Sequence, residues 1–239
     1  MRKGMLKQTL KSMFGIITVF IVGFILVTFQ TYKPNTNLSE LSYSNENKNI
    51  VFAPETPNAK TGIIFYSGAL VEPLAYGYYA NALAQEGYLV VIPNLNLNLA
   101  ILDINISNKI IQQYPEIENW YVAGHSMGGV AASLFASENI DLVKGLIMLA
   151  SYPMETVDLT NSNLKVLSIY GELDGLSTID EIEQSRDNFP ENAVFHMIEG
   201  ANHAQFGMYG EQSGDNEATI DVIAQQEEMI EITLQFLLS

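Results

Sequence analysis

The chain contains no cysteine, which excludes disulfides, thiolate metal sites and cysteine nucleophiles. Basic residues are scarce: 11 Lys and Arg stand against 27 Asp and Glu, a formal net charge of −16. Charged residues of either sign fill 16% of the 239 positions, below the usual quarter or so. The charge is also unevenly placed. Residues 1–33 hold Arg2, Lys3, Lys7, Lys11 and Lys33 and no acidic residue, so the remainder has 6 basic and 27 acidic residues, a net of −21. A body that acidic is repelled by phosphate backbones, which argues against a nucleic-acid partner. Histidine occurs at only three positions, and no internal repeat or low-complexity tract is visible. What is present is apolar: 48% hydrophobic and 10% aromatic residues argue against intrinsic disorder. The length suits one domain with an appendage.

That appendage is N-terminal. From Ser12 to Tyr32 there are 21 consecutive uncharged residues. As a helix they would span about 32 Å, close to the hydrocarbon thickness of a bilayer. A basic head before an apolar block argues against a buried soluble helix. The competing reading is a cleaved signal peptide, whose apolar region runs about 7–15 residues and ends at small residues. Here the run is longer, and residues 28–33 offer no small-x-small site. Residues 1–32 are therefore read as an uncleaved transmembrane anchor, with its basic end cytoplasmic and the acidic body outside. Residues 33–47, polar and rich in Asn and Ser, read as a linker to a domain over 48–239.

The body alternates short β-branched runs with amphipathic patterns. Strands are expected at 50–53, 62–66, 88–92, 120–123, 145–150, 166–170 and 193–198. Helices are expected at 74–85, 99–113, 127–137, 178–188 and 217–238, with a stop at Gly87 and a cap at Ser177 or Thr178. Apolar strands separated by helices imply one α/β domain, its mostly parallel sheet covered on both faces.

The informative stretch is Gly124-His125-Ser126-Met127-Gly128, a G-x-S-x-G pattern set where a strand runs directly into a helix. The serine of such an elbow occupies a tight, strained turn, and glycines two residues either side avoid collision with the neighbouring strand and helix. Ser126 is thus lifted to the carboxyl edge of the sheet as a candidate nucleophile. The Met127 N–H, at the start of the helix, points toward any oxyanion formed there. A serine needs a base, and the base needs an orienting acid. Of the three histidines, His125 adjoins the nucleophile and points away, His196 lies inside a strand, and His203 sits in a loop after a strand. His203 is the candidate base. The acid lies in the loop Gly171-Glu172-Leu173-Asp174-Gly175, where Asp174 at the turn apex is favoured over Glu172. A second oxyanion donor is expected from Ala69, after the tight turn at Gly68.

The chain resembles the α/β-hydrolase superfamily over nearly all of residues 50–239, with Ser126, Asp174 and His203 in that family's order of nucleophile, acid and base. More narrowly it is similar to the small bacterial alpha/beta hydrolase fold-5 group, which resembles dienelactone hydrolases and includes membrane-anchored members. Residues 94–100, 170–178 and 202–210 carry this resemblance, and the last two stretches surround the acid and the base. It implies an α/β-hydrolase fold and hydrolase activity. Ser67-Gly68-Ala69 departs from the pattern, since many relatives have His-Gly or Gly-Gly there.

Only 15 residues, 151–165, separate the strand ending at Ala150 from that beginning at Val166, too few for a helical lid. An open site is expected, walled by residues 70–79 with Tyr76, Tyr78 and Tyr79, by 93–99, by 152–154 and by 205–209. Such aromatic residues serve packing as readily as substrate contact. Residues 210–217 lack calcium-loop spacing and read as a turn capping the last helix. No metal and no cofactor is expected. The leading expectation is a carboxylesterase-like serine hydrolase taking a small-molecule acyl substrate. A thioesterase, lactonase, amidase or acyltransferase could use the same residues, and the rival of another class is a noncatalytic extracytoplasmic binding protein.

Overall fold

Residues such as Ile63, Ile64, Phe65 and Tyr66 are β-branched or aromatic without interruption, and a strand built from them must be buried on both faces. In the computed structural model, which describes residues 31–35, 41–55 and 58–239, they lie in the middle of a sheet. The strands are β1 (Ser44–Glu46), β2 (Asn49–Phe52), β3 (Thr61–Tyr66), β4 (Leu89–Pro93), β5 (Asn119–His125), β6 (Gly145–Leu149), β7 (Lys165–Gly171) and β8 (Val194–Ile198). Their order is β1-β2-β4-β3-β5-β6-β7-β8. β1 and β2 pair antiparallel, β2 joins β4 antiparallel, and every other neighbouring pair is parallel.

The helices are α1 (Gly77–Gln85), α2 (Ile106–Gln113), α3 (Met127–Glu138), α4 (Ile179–Gln184) and α5 (Val222–Leu238). Alternate residues of β3 feed two cores. Ile63 and Phe65 pack with Leu83 of α1 and Met229 and Phe236 of α5. Ile64 and Tyr66 pack with Ile110 of α2 and Ala131, Ala132 and Phe135 of α3. Complete burial of one such large side chain is worth about 1.5–3 kcal/mol, so the two-sided sheet dominates the stability of the domain.

Several expected boundaries move, each for a local reason. Residues 33–47 are not all linker: Ser44–Glu46 form the edge strand β1, turned back into β2 at Asn47 and Lys48, both with positive φ (50° and 70°). All three residues of β1 are exposed, so no apolar alternation marks it. Tyr32 and Asn35 are tied down too, their N–H groups donating to Leu70 O (2.8 Å) and Met208 O (2.9 Å). The helix expected at 99–113 is delayed to Ile106 because the Asp103 carboxylate takes the main-chain N–H (2.5 Å) and side-chain amide (2.7 Å) of Asn96 and closes a loop instead. The last helix starts at Val222 rather than 217, capped by Asp221, whose carboxylate accepts from Ile223 N–H (2.9 Å) and Ala224 N–H (3.1 Å). Gly87 terminates α1 with φ +98°, as a left-handed stop requires.

No helix lies between β6 and β7, so residues 150–164 build no helical lid. The expected membrane anchor falls almost wholly on residues 1–30, outside the described residues. Among the described residues no helix is long and apolar enough to cross a membrane.

Candidate active site

β5 sits centrally, between β3 and β6, and passes into α3 with no intervening loop. Ser126 occupies that junction with φ 54° and ψ −125°, a strained conformation for a residue with a side chain. Its backbone is held from three directions: its N–H donates to Leu149 O (3.0 Å), while its carbonyl accepts from Gly129 N–H (2.9 Å) and the Ser151 hydroxyl (2.7 Å). The flanking glycines are obligatory. A Cβ on Gly124 would strike the backbone of Gly128, and one on Gly128 would strike the Tyr66 carbonyl at the end of β3. The strain at Ser126, on the order of 1–3 kcal/mol, is thus imposed by close packing of β3, β5 and α3.

Further along the same edge, β7 and β8 lead into the loops that carry the candidate acid and the candidate base. Asp174 is buried in the turn after β7, and His203 in the loop after β8. The His203 Nδ1–H donates to Asp174 Oδ2 at 2.8 Å, and the other oxygen of Asp174 accepts the N–H groups of Leu176 (2.8 Å) and Ser177 (2.6 Å). A carboxylate accepts and does not donate, so Nδ1 carries the shared proton and the second ring nitrogen, Nε2, is left for a further partner. That Nε2 is buried and has no partner among the described residues. The structure therefore joins Asp174 to His203 but does not close a hydrogen bond from Ser126 to His203. Glu172, the alternative acid, is exposed and accepts Gly200 N–H (2.9 Å).

Met127 opens α3, so its N–H lies in the first turn, where no intrahelical acceptor exists. At the other candidate, the neighbouring N–H groups are both committed: Gly68 N–H donates to the Tyr76 hydroxyl (3.0 Å) and Leu70 N–H to Asn98 O (2.8 Å). That leaves the N–H of Ala69 without a partner among the described residues.

Sequence reasoning read Tyr76 as a wall residue and missed its role. Tyr76 is buried, and its hydroxyl meets His125 Nδ1 at 2.9 Å as well as Gly68 N–H. Burial holds the Tyr76 pKa well above its usual value, so it keeps its proton. Burial, and next the neighbouring His203, hold the pKa of His125 well below 6.5, so its ring is neutral. Tyr76 donating to Nδ1 gives the phenol hydrogen an acceptor and puts the His125 hydrogen on Nε2, which has no partner among the described residues. The His125 ring lies 4.5 Å from that of His203, centroid to centroid. The Tyr76–His125 contact spans 49 residues, and no periodicity announces it.

The remaining expectations divide. Tyr79 is also core, its hydroxyl 2.9 Å from that of Thr233, whereas Leu97 and Met154 are exposed at 48% and 46%. His196 lies inside a strand as expected, on the sheet edge in β8, and pairs through Nε2 with Glu228 (2.7 Å). Among the described residues no cluster of three or more His, Asp or Glu side chains could hold a metal ion.

Comparison with solved structures finds the same architecture repeatedly. A predicted CIB-like hydrolase from Thermoplasma acidophilum matches with a TM-score of 0.60 at 19% identity, over 82% of this chain and 98% of its own. Est1E from Butyrivibrio proteoclasticus with bound ferulic acid gives 0.61 at 13% identity, over 83% and 100%. The monoacylglycerol lipase of Paleococcus ferrophilus gives 0.58 at 12%, over 82% and 100%. At such identities the likeness is one of fold. No curated protein matches the sequence. The model of the alpha/beta hydrolase family matches residues 62–227, well over half of the chain, and with the sheet order and elbow just described the chain belongs to that family.

Proposed function

We propose that the protein is a serine hydrolase of carboxylic esters or related acyl compounds, with Ser126 as nucleophile, His203 as base and Asp174 as orienting acid. The observation that carries this reading is the buried Asp174–His203 pair, with Nε2 unpartnered, on the same sheet edge as the strained Ser126. In the first step His203 Nε2 takes the Ser126 hydroxyl proton as the oxygen bonds to the substrate carbonyl carbon. The carbonyl electron pair moves to oxygen, where the Met127 and Ala69 N–H groups hold it. Collapse expels the alcohol, which receives the proton from His203 and leaves an acyl-serine. Water, deprotonated by the same nitrogen, repeats the sequence and releases the acid. The imidazolium formed at each step is stabilised by Asp174.

The ester reading is supported by the carboxylesterases and the monoacylglycerol lipase among the structural neighbours, and a thioesterase domain from the curacin pathway shares the fold. The absence of a helix between β6 and β7 favours small or extended substrates. The same proposal sets the domain outside a membrane, on the N-terminal apolar run. Hydrolysis of chromogenic esters of graded chain length tests the chemistry, with Ser126→Ala and His203→Ala inactive but folded. Turnover that survives either substitution contradicts it. Recovery of the full chain as a soluble cytosolic protein would contradict the anchor.

A further inference from the structure

The segment between Phe206 and α5 carries no helix or strand, yet one of its side chains reaches both loops of the acid–base pair. Asp215 Oδ1 accepts the N–H of Gly175 (3.0 Å), the residue after Asp174, and the N–H of His203 itself (3.3 Å). The same oxygen accepts Asn216 N–H (2.9 Å), and Oδ2 accepts Ala204 N–H (2.8 Å). The residues at 210–217 are thus not a cap for the last helix, a task performed by Asp221.

We infer that Asp215 is a positioning residue that sets the Asp174–His203 geometry by clipping the acid loop to the base loop. The two loops are tied at their root by Leu173 N–H donating to Ala201 O (2.8 Å), where β7 and β8 end. Beyond that root, the ties between the two loops among the described residues are the Asp174–His203 bond and the Asp215 carboxylate. A carboxylate suits the task because N–H bonds to an anion are about twice as strong as neutral ones, and its two oxygens serve several donors at once. The fit on the acid side is close. A Cβ on Gly175 would lie 2.8 Å from Gly214 O and 3.0 Å from Asn216 N, so glycine at 175 lets the segment approach. Gly214, with φ +91°, supplies the turn that aims Asp215 inward.

The chemical consequence rests on the serine-hydrolase reading: without the clip, the imidazole is held to the acid loop by the Asp174–His203 bond alone and its orientation loosens. A displacement of about 1 Å at a reacting group can cost a factor of about 100. The test uses the full chain in detergent, comparing wild type, Asp215→Ala, Asp215→Asn and a control, Asp158→Ala. The control removes a carboxylate that accepts two bonds from Thr160 and none from the acid or base loop. The readouts are the low-field proton resonance of His203 Nδ1–H and the split of ester kinetics into kcat and KM. The resonance should persist in wild type and Asp158→Ala but broaden or vanish in Asp215→Ala. There kcat should fall about 10- to 100-fold with KM nearly unchanged. Asp215→Asn, which keeps one accepting oxygen and turns the other into a donor, should lie between, and it is decisive if the alanine variant does not fold. An unchanged resonance and kcat in a folded Asp215 variant would overturn the inference, as would an equal loss in Asp158→Ala. A resonance that depends on Asp215 in a protein without esterase activity would refute the hydrolase reading alone.

Discussion

The hydroxyl of Tyr76 lies 2.9 Å from Nδ1 of His125, at the end of the strand that presents Ser126. Because the same oxygen accepts the Gly68 N–H at 3.0 Å, one buried phenol joins the elbow strand to the loop carrying Ala69. The two proposed oxyanion donors are thereby referenced to each other through a rigid core side chain. Tyr76→Phe leaves the Gly68 N–H and His125 Nδ1 unpartnered, at about 1–3 kcal/mol for each buried group. The expected outcome is a lower unfolding midpoint and a loss in kcat of about tenfold or more, since the oxyanion loop is released. Calorimetry and steady-state kinetics on the same preparation check both.

The two carboxylates of one turn should differ sharply. Asp174 is buried against His203, and its replacement by Ala should lower kcat by about 10³–10⁴. Glu172 is exposed and, among the described residues, accepts only the Gly200 N–H, so Glu172→Ala should stay within about threefold of wild type. Parallel kinetics of the two variants decide the assignment, and the reverse ranking contradicts it.

His125 gives the stability a pH dependence of definite sign. Its folded pKa is depressed below the ordinary 6.5, by burial first and by His203 second. Between the depressed value and 6.5 the unfolded chain binds the extra proton, so stability rises with pH across that window. The contribution of neutral His125 is complete above about pH 6.5 and is lost as pH falls below it. Thermal unfolding at about pH 7.5 and about pH 5.5 should show a larger drop in midpoint for wild type than for His125→Asn.

Gly128 tests the elbow itself. Alanine there drives a methyl group into the Tyr66 carbonyl of β3, a backbone atom that cannot yield without opening the sheet. Gly128→Ala should lose several kcal/mol of stability or the elbow geometry, and with it activity. Alanine at Gly87 meets open space, so its cost is confined to the positive φ of +98°. Side-by-side unfolding curves of the two variants should rank Gly128→Ala as far the more damaging.

What could be read from the sequence was what local chemistry determines. Continuous apolar strands such as 62–66 declare a sheet buried on both faces, and a G-x-S-x-G across a strand-to-helix junction declares an elbow. β1 was hidden because an exposed edge strand of Ser, Asn and Glu has no alternation to read. The late start of α2 was hidden because the Asp103 side chain competes with the helix for its first turn. Tyr76 and Asp215 were out of reach for another reason. Each acts through hydrogen bonds to main-chain N–H groups brought together by the fold, and a main-chain partner leaves no mark in the sequence.

The central claim is that Ser126 is a nucleophile activated by His203. Its most direct measurement is peptide mapping by mass spectrometry after treatment with a fluorophosphonate. The account predicts a single adduct on Ser126 in wild type, none in Ser126→Ala, and a rate of labelling reduced by orders of magnitude in His203→Ala. Folded wild-type protein that takes up no adduct, or takes it up equally without His203, would contradict the account and favour a binding protein on a hydrolase scaffold.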